Sequence, residues 1–455
     1  MVVQAGQGTR AGHASILWSS CLAMLAVGAN STAIMAALPS MRAELSLSSA
    51  GAEWAINAYL VVSAACIVIG GQAADRFGAS LASIVGLALF GAASVIVAVS
   101  GTQTMLLAGR ALQGLAAALA VPSTLAAVGA GAASERRTAA IGAWTGFLML
   151  GFSIGPLLGG ALTHFIGWRV IFWLNALFMA AAIAGLVFAV SVTARRHGPP
   201  SGRTDWIGFV LLAILMVSLV FGLHALPRAG VAPLSVVGPF ALATIAFFVL
   251  LTMEAHVEAP LVDRSFFARR SFAMGIAIGS LSMFSIMSLL FYFNLYAQSR
   301  EGLGLTALQA GALLLPLSAA LLAFSLSASA VAKRLGPRSA MTGGMALVVI
   351  ASGTISVAVA GGGMVLLMAI GFLLMGAGLA VPYALAPRLA LSVLSPAQTG
   401  QGSGIVNACT FLGGSAGVAG GATAFAIGGF VAVLMMVGLA GIAGAALSYG
   451  IAEAR

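Results

Sequence analysis

The stretch A-A-D-R-F-G at residues 73–78 returns as V-A-K-R-L-G at residues 331–336, an offset of 258. L-A-V-P at residues 119–122 returns at 379–382, an offset of 260. Two matches at nearly one offset describe a duplicated unit rather than a chance echo. Each basic loop lies between apolar runs about 20 residues long, the length that crosses a bilayer as a helix. Walking outward from them gives fourteen such runs, at about 15–38, 52–73, 80–100, 104–127, 139–162, 168–192, 206–226, 233–253, 272–297, 307–332, 340–360, 363–386, 402–425 and 428–451. None alternates with period two, so they read as helices and not barrel strands.

Composition agrees. Of 455 residues 61% are hydrophobic and 7% charged, against about 25% charged in a soluble domain. This excludes a water-soluble enzyme, a disordered chain and a nucleic-acid binder. The net charge of +10 reflects a one-sided distribution. Arg42, Arg169, Arg228 and Arg300 lie in connections on one side, Arg110 lies within a run, and the other fifteen of the 20 Lys and Arg lie on the opposite side. The positive-inside rule then places both termini in the cytoplasm, with the plasma (inner) membrane as the location. Cys21, Cys66 and Cys409 sit in apolar runs and read as small apolar side chains. No metal cluster, nucleophile–base set or phosphate loop is legible, so the expectation is no enzyme, no ATP-driven pump and no cofactor.

The repeat predicts an all-α membrane protein with a six-helix bundle in 1–193, two inserted linker helices in 194–270 and a second six-helix bundle in 271–455. Duplicated six-span halves are a transporter architecture, with a small-molecule substrate bound near the midplane between them.

At this point the residues resemble a known family. G-Q-A-A-D-R-F-G-A-S at 71–80 is similar to the signature loop of the major facilitator superfamily, with Gly71, Asp75, Arg76 and Gly78 at the matching positions and Ala79 and Ser80 where a basic pair is usual. A-G-R-A-L-Q-G at 108–114 resembles its R-x-x-Q-G motif, carried by Arg110 and Gln113. G-F-S-I-G-P-L-L-G-G at 151–160 resembles its antiporter motif through Gly151, Gly155, Pro156, Gly159 and Gly160. With Gly142 and Gly146 these make a small-residue face that allows close helix approach, and Pro156 permits a bend. Gly413, Gly417 and Gly421 mirror it in the second half. Stretches 168–175 and 295–316 resemble the start of span six and the span nine–ten linker of the fourteen-span drug:proton antiporters. The resemblance implies a monomeric exporter of small amphipathic molecules, multidrug efflux by proton antiport.

One departure bears on coupling. N-S-T-A-I-M-A-A-L-P at 30–39 has Asn30 where that subfamily carries an acid. All ten acids fall in loops or at helix ends, so no carboxylate sits at mid-membrane. Glu53 and His224 remain as candidate proton carriers, and His224, near the outer end of a peripheral span, reads better as a loop-proximal histidine. Arg110, as an intramembrane charge, is expected to face protein or a wet cavity, the alternative being a snorkelling side chain. Asn30, Asn57, Tyr59, Gln113, Asn175, Tyr292, Asn294, Tyr296, Tyr383 and Asn407 are the other expected cavity residues, and each could instead tie helices together. An uncoupled metabolite transporter, or a membrane sensor that transports nothing, stays open beside the exporter.

Overall fold

The structure is a computed structural model and describes residues 2–131, 137–193, 206–225, 233–254, 264–394 and 398–450. Every regular element among them is an α-helix. The first six are α1 (Val2–Glu44), α2 (Ser49–Phe77), α3 (Ala79–Ala98), α4 (Gln103–Gly131), α5 (Arg137–Phe165) and α6 (Arg169–Thr193). Then come α7 (Trp206–Ala225), α8 (Pro233–Glu254) and the short α9 (Arg264–Ala268). The last six are α10 (Arg270–Gln298), α11 (Ala307–Leu313), α12 (Leu315–Leu335), α13 (Pro337–Ala360), α14 (Val365–Leu391) and α15 (Thr399–Tyr449).

Among the described residues, 12 helices are long and apolar enough to cross a membrane. Two features reconcile this with fourteen runs. First, α15 holds two of them: Gly428 and Gly429 leave helical geometry, and Gly429 takes φ 60°, ψ −151°. The chain reverses there. Gly417 lies on Phe284, Phe430 packs on Phe293, and Gly450 is back beside Met274 near the start of α10. Second, the apolar part of α7, Ile207–Leu223, falls just short of the usual crossing length. The run expected over 307–332 is also broken, at Leu314, into α11 and α12. Thr306 and Gln309 close a capping box that starts α11, and Pro316 in the first turn of α12 has no amide to continue the earlier helix.

The repeat is visible in the backbone. Gly78 joins α2 to α3 at φ 90°, ψ 137°, and Gly336 joins α12 to α13 at φ 80°, ψ 147°. Only glycine adopts this region freely, which explains why both loops end in it. Pro122 lies inside α4 and Pro382 inside α14. Helices α1 to α6 pack chiefly on one another, led by α1 on α5 and α2 on α4. Helices α10 to α15 do the same, led by α10 on α15 and α13 on α14. The two groups meet where α2 lies on α15, α5 on α11 and α12, and α1 on α10. Helices α7 and α8 pair with each other, and α7 also touches α2 and α15. The outward side chains Leu234, Ile245 and Phe248 of α8 are exposed, as lipid-facing residues should be.

The end of the molecule bearing Arg76, Lys333 and Arg334 is called the basic face below. At the opposite face the Trp168 indole donates to Glu44 at 2.6 Å, Arg169 pairs with the same carboxylate, and Arg169 Nη2 donates to Ser100 O at 2.9 Å. That knot gives the W-R pair at the start of α6 a structural role, tying α6 to the ends of α1 and α3.

Candidate functional site

The glycine run of α5 works on two sides. Gly151, Gly155 and Gly159 recur every four residues and so share one face. A Cβ at Gly151 would overlap Leu25 O and Ala29 N, one at Gly155 would overlap Thr32 Oγ1 and Ala29 O, and one at Gly159 would overlap the Ala33 backbone. This face is pressed onto α1. Gly160 instead faces the second half, where a Cβ would overlap Ala307 O, and Gly311 of α11 lies against Pro156 O. Gly142 and Gly146, earlier in the run, have open space or ordinary contact. The second half repeats the arrangement: Gly413 lies on Ser280 and Gly417 on Phe284 and Ser288 of α10.

Pro156 has no amide hydrogen, so the Phe152 carbonyl one turn earlier lacks its helical donor. Thr32 Oγ1 supplies one at 3.0 Å. The threonine of N-S-T therefore closes the gap left by the proline of the antiporter-like motif.

A polar network fills the first half. Arg110 is fully buried. Its Nε donates to Ala55 O at 2.7 Å, its Nη1 donates to Gln113 Oε1 at 2.7 Å, and its Cζ lies 4.7 Å from the centre of the Tyr59 ring. Gln113 Nε2 donates to Ser94 Oγ at 2.8 Å, and Ser94 donates to Phe90 O at 2.7 Å. The guanidinium thus spends its donors on a carbonyl and an amide and lays its face on a ring, the compensation a buried cation needs. Buried as it is, it does not snorkel. Asn30 and Asn175 meet across α1 and α6, Asn175 Nδ2 donating to Asn30 Oδ1 at 2.8 Å. The Asn30 Nδ2 group, fully buried, has no hydrogen-bond partner.

The second-half candidates lie along α10. Tyr292 donates to Val418 O at 2.7 Å. Asn294 donates to Leu290 O at 2.8 Å, and Tyr296 stacks on Phe430 at 5.2 Å. Glu53, half-buried near the start of α2, is within electrostatic reach of Tyr292. Between the halves, Ser415 Oγ donates to Asn57 Oδ1 at 2.9 Å, and Gln298 Nε2 donates to Ala36 O at 2.9 Å. Of the signature loop, Gly71 meets open space, Arg76 is exposed beside Phe77, and Gly78 makes the turn. The side chains of Asp75 and His224 fall outside the described part of the structure.

Between the halves, at mid-helix, lies a narrow crevice. Thr32, Met149 and Phe152 line it from the first half. Met283, Ile286, Leu290, Leu317, Leu321 and Tyr383 line it from the second. Its free volume is about 10 Å³, enough for about one water, so the halves are closed on each other. Of the cavity residues expected from the sequence, Tyr383 lines it and the others do not. Arg110, Gln113, Asn30 and Asn175 sit inside the first half, and Tyr292, Asn294 and Tyr296 contact helices of the second. The lining residues went unread because an apolar side chain in an apolar span has no periodic signal. Tyr383 was the legible part, and the Thr32 hydroxyl went unread with the rest. At the opposite face a wider depression of about 380 Å³ opens between α1 and α10, lined by Pro39, Arg42, Leu47, Leu295 and Gln298 among others.

Comparison with known proteins follows the same lines. The family model of the Major Facilitator Superfamily matches residues 20–418. The chain is 31% identical over 408 residues to the tetracenomycin C resistance and export protein of Streptomyces glaucescens, covering 88% of this chain and 74% of that one. It is 33% identical over 306 residues to the methylenomycin A resistance protein of Bacillus subtilis, covering 67% of this chain and 64% of that one. Among solved structures, an auto-inhibited POT family peptide transporter superposes with a TM-score of 0.71 over 98% of both chains at 15% identity. That likeness concerns the fold alone.

Proposed function

The chain belongs to the major facilitator superfamily of membrane transporters, and from that premise we propose that it exports small amphipathic molecules from the cytoplasm across the plasma (inner) membrane. The observation that carries this reading is the crevice, narrow and lined from both halves at mid-helix. A site between two similar halves is reached from alternate sides when the halves rock. In this reading the rocking bodies are residues 1–193 and 271–455, and 194–270 is an insert that follows them. The basic face is cytoplasmic, and both termini with it. The monomer is the working unit.

The α5 seam supports the motion. On the α1 side its glycines interlock with backbone and keep the first half rigid. On the α11 side Gly160 and Gly311 allow a close but separable contact at the opposite face. Gln298, reaching from α10 to Ala36 O, is a latch on the same face. Export opens this face by breaking that bond and parting α5 from α11.

Energy coupling is the finer part of the proposal. Asn30 cannot carry a proton, so coupling is weak, or it runs through Glu53 or the cargo itself. Asn30 equally favours a second reading, an uncoupled transporter driven by its cargo's own gradient. The test is purified protein in liposomes holding a pH-sensitive dye, challenged with cargo. Cargo-dependent proton flux that Glu53→Gln abolishes supports coupling through Glu53. Cargo movement without proton flux supports the uncoupled reading. No movement of any of a panel of amphipaths overturns the export proposal.

A further inference from the structure

The chemistry of the cargo is written in the crevice, and this inference rests on the export reading above. Of its nine lining residues, the one that can ionise is Tyr383, and its phenol is neutral at physiological pH. The Thr32 hydroxyl is already committed to Phe152 O. The buried cation of the first half, Arg110, is engaged by Ala55, Gln113 and Tyr59 and does not line the space. A charged molecule entering here would leave water and find no opposite charge, which is strongly unfavourable.

The remaining walls suit flat, polarisable molecules. Met149, Met283 and Phe152 all line the crevice, and methionine adapts its shape and packs well against aromatic rings. Tyr383 supplies a single polar feature. It follows Pro382 of the second L-A-V-P, and its hydroxyl has no hydrogen-bond partner among the described residues. The matching position in the first half, after Pro122, is Ser123, which is fully buried and outside the crevice. The free donor therefore stands on one wall only.

We propose that the crevice takes an uncharged, planar aromatic molecule bearing a carbonyl, and that the Tyr383 hydroxyl donates to that carbonyl. Tyr383 is thus a specificity-determining residue. A bound cargo forces the halves apart far enough to admit it and replaces the apolar contact between Phe152 and the second half.

The experiment is equilibrium binding to the full chain in lipid nanodiscs, with three probes of one shape. These are 2-(hydroxymethyl)anthraquinone, its trimethylammonium counterpart, and 2-(hydroxymethyl)anthracene, which lacks the carbonyls. The neutral quinone is expected to bind at least about thirtyfold more tightly than the cation. Tyr383→Phe should weaken the quinone by roughly tenfold and leave the anthracene within about twofold, the signature of one lost hydrogen bond. Leu290→Asp should reverse the charge preference. Equal binding of the cation, equal loss of quinone and anthracene in Tyr383→Phe, or no quinone binding at all, overturns the proposal. Uptake of the same probes into inside-out vesicles separates the two readings. Quinone binding without uptake counts against export and for this site. Uptake that ignores probe charge counts for export and against this site.

Discussion

Inside a bilayer an unmet carbonyl has no water to turn to, so the proline of α5 needs a donor from elsewhere. Thr32 is that donor, and it also forms part of the crevice wall. Thr32→Val keeps the shape and removes the bond. It should lower stability by about 1–2 kcal/mol and slow transport, while Thr32→Ser restores both. Thermal unfolding in detergent beside an uptake assay checks this, and equal behaviour of the two variants would show that the hydroxyl carries nothing. Asn30 poses the complementary case. Its Oδ1 is engaged by Asn175 while its NH2 group has no acceptor. Asn30→Asp keeps the bond from Asn175 and removes the unmet donor, so the protein should still insert and fold. A carboxyl buried there gives the first half a titratable group. Transport should then vary with pH across the neutral range, where the parent chain is flat or coupled through Glu53. An unchanged pH profile would show that this position does not communicate with the crevice. At this scale the sequence was most informative about charge. Arg110 stood out as an intramembrane arginine, but its partners did not. Ala55 contributes a backbone oxygen, and the Tyr59 ring comes from another helix. Neither leaves a mark in the spacing of side chains.

Glycine spacing in α5 made a close helix contact legible, and left open which glycines make it. Gly142 and Gly155 belong to the same run, yet only the second has backbone within overlap distance of a Cβ. Gly155→Leu should abolish transport, because the side chain must displace Thr32 and the Ala29 backbone. Gly142→Leu should transport like the parent chain, since nothing stands within 4 Å of its Cβ. Uptake normalised to the amount of membrane protein checks the pair, and a similar loss in both would dissolve the seam. Breaks within runs were less legible. The capping box of Thr306 and Gln309 and the proline at 316 are visible in the letters, but a run of apolar residues spans them and hides the interruption. The Gly428–Gly429 reversal is hidden the same way, because small apolar residues continue on both sides of it.

For the whole molecule, the duplication was the strongest signal, because it needs no partner knowledge: two loops with one backbone shape sit at matched positions in the two halves. The crevice between the halves was not legible, since its walls are mainly methionine, leucine and isoleucine that any span contains. Orientation rests on the uneven placement of Lys and Arg. A reporter enzyme fused after Arg455 should be active in the cytoplasm, and activity on the outer side would overturn this orientation.

The central claim is that the crevice is reached alternately from the two faces. Its direct test replaces Cys21, Cys66 and Cys409 by alanine and places one cysteine at Leu290. A membrane-impermeant maleimide is then applied to right-side-out and to inside-out vesicles. The account predicts labelling from both sides, slowed on both by bound cargo. Labelling from one side only, or labelling that cargo does not affect, would contradict it.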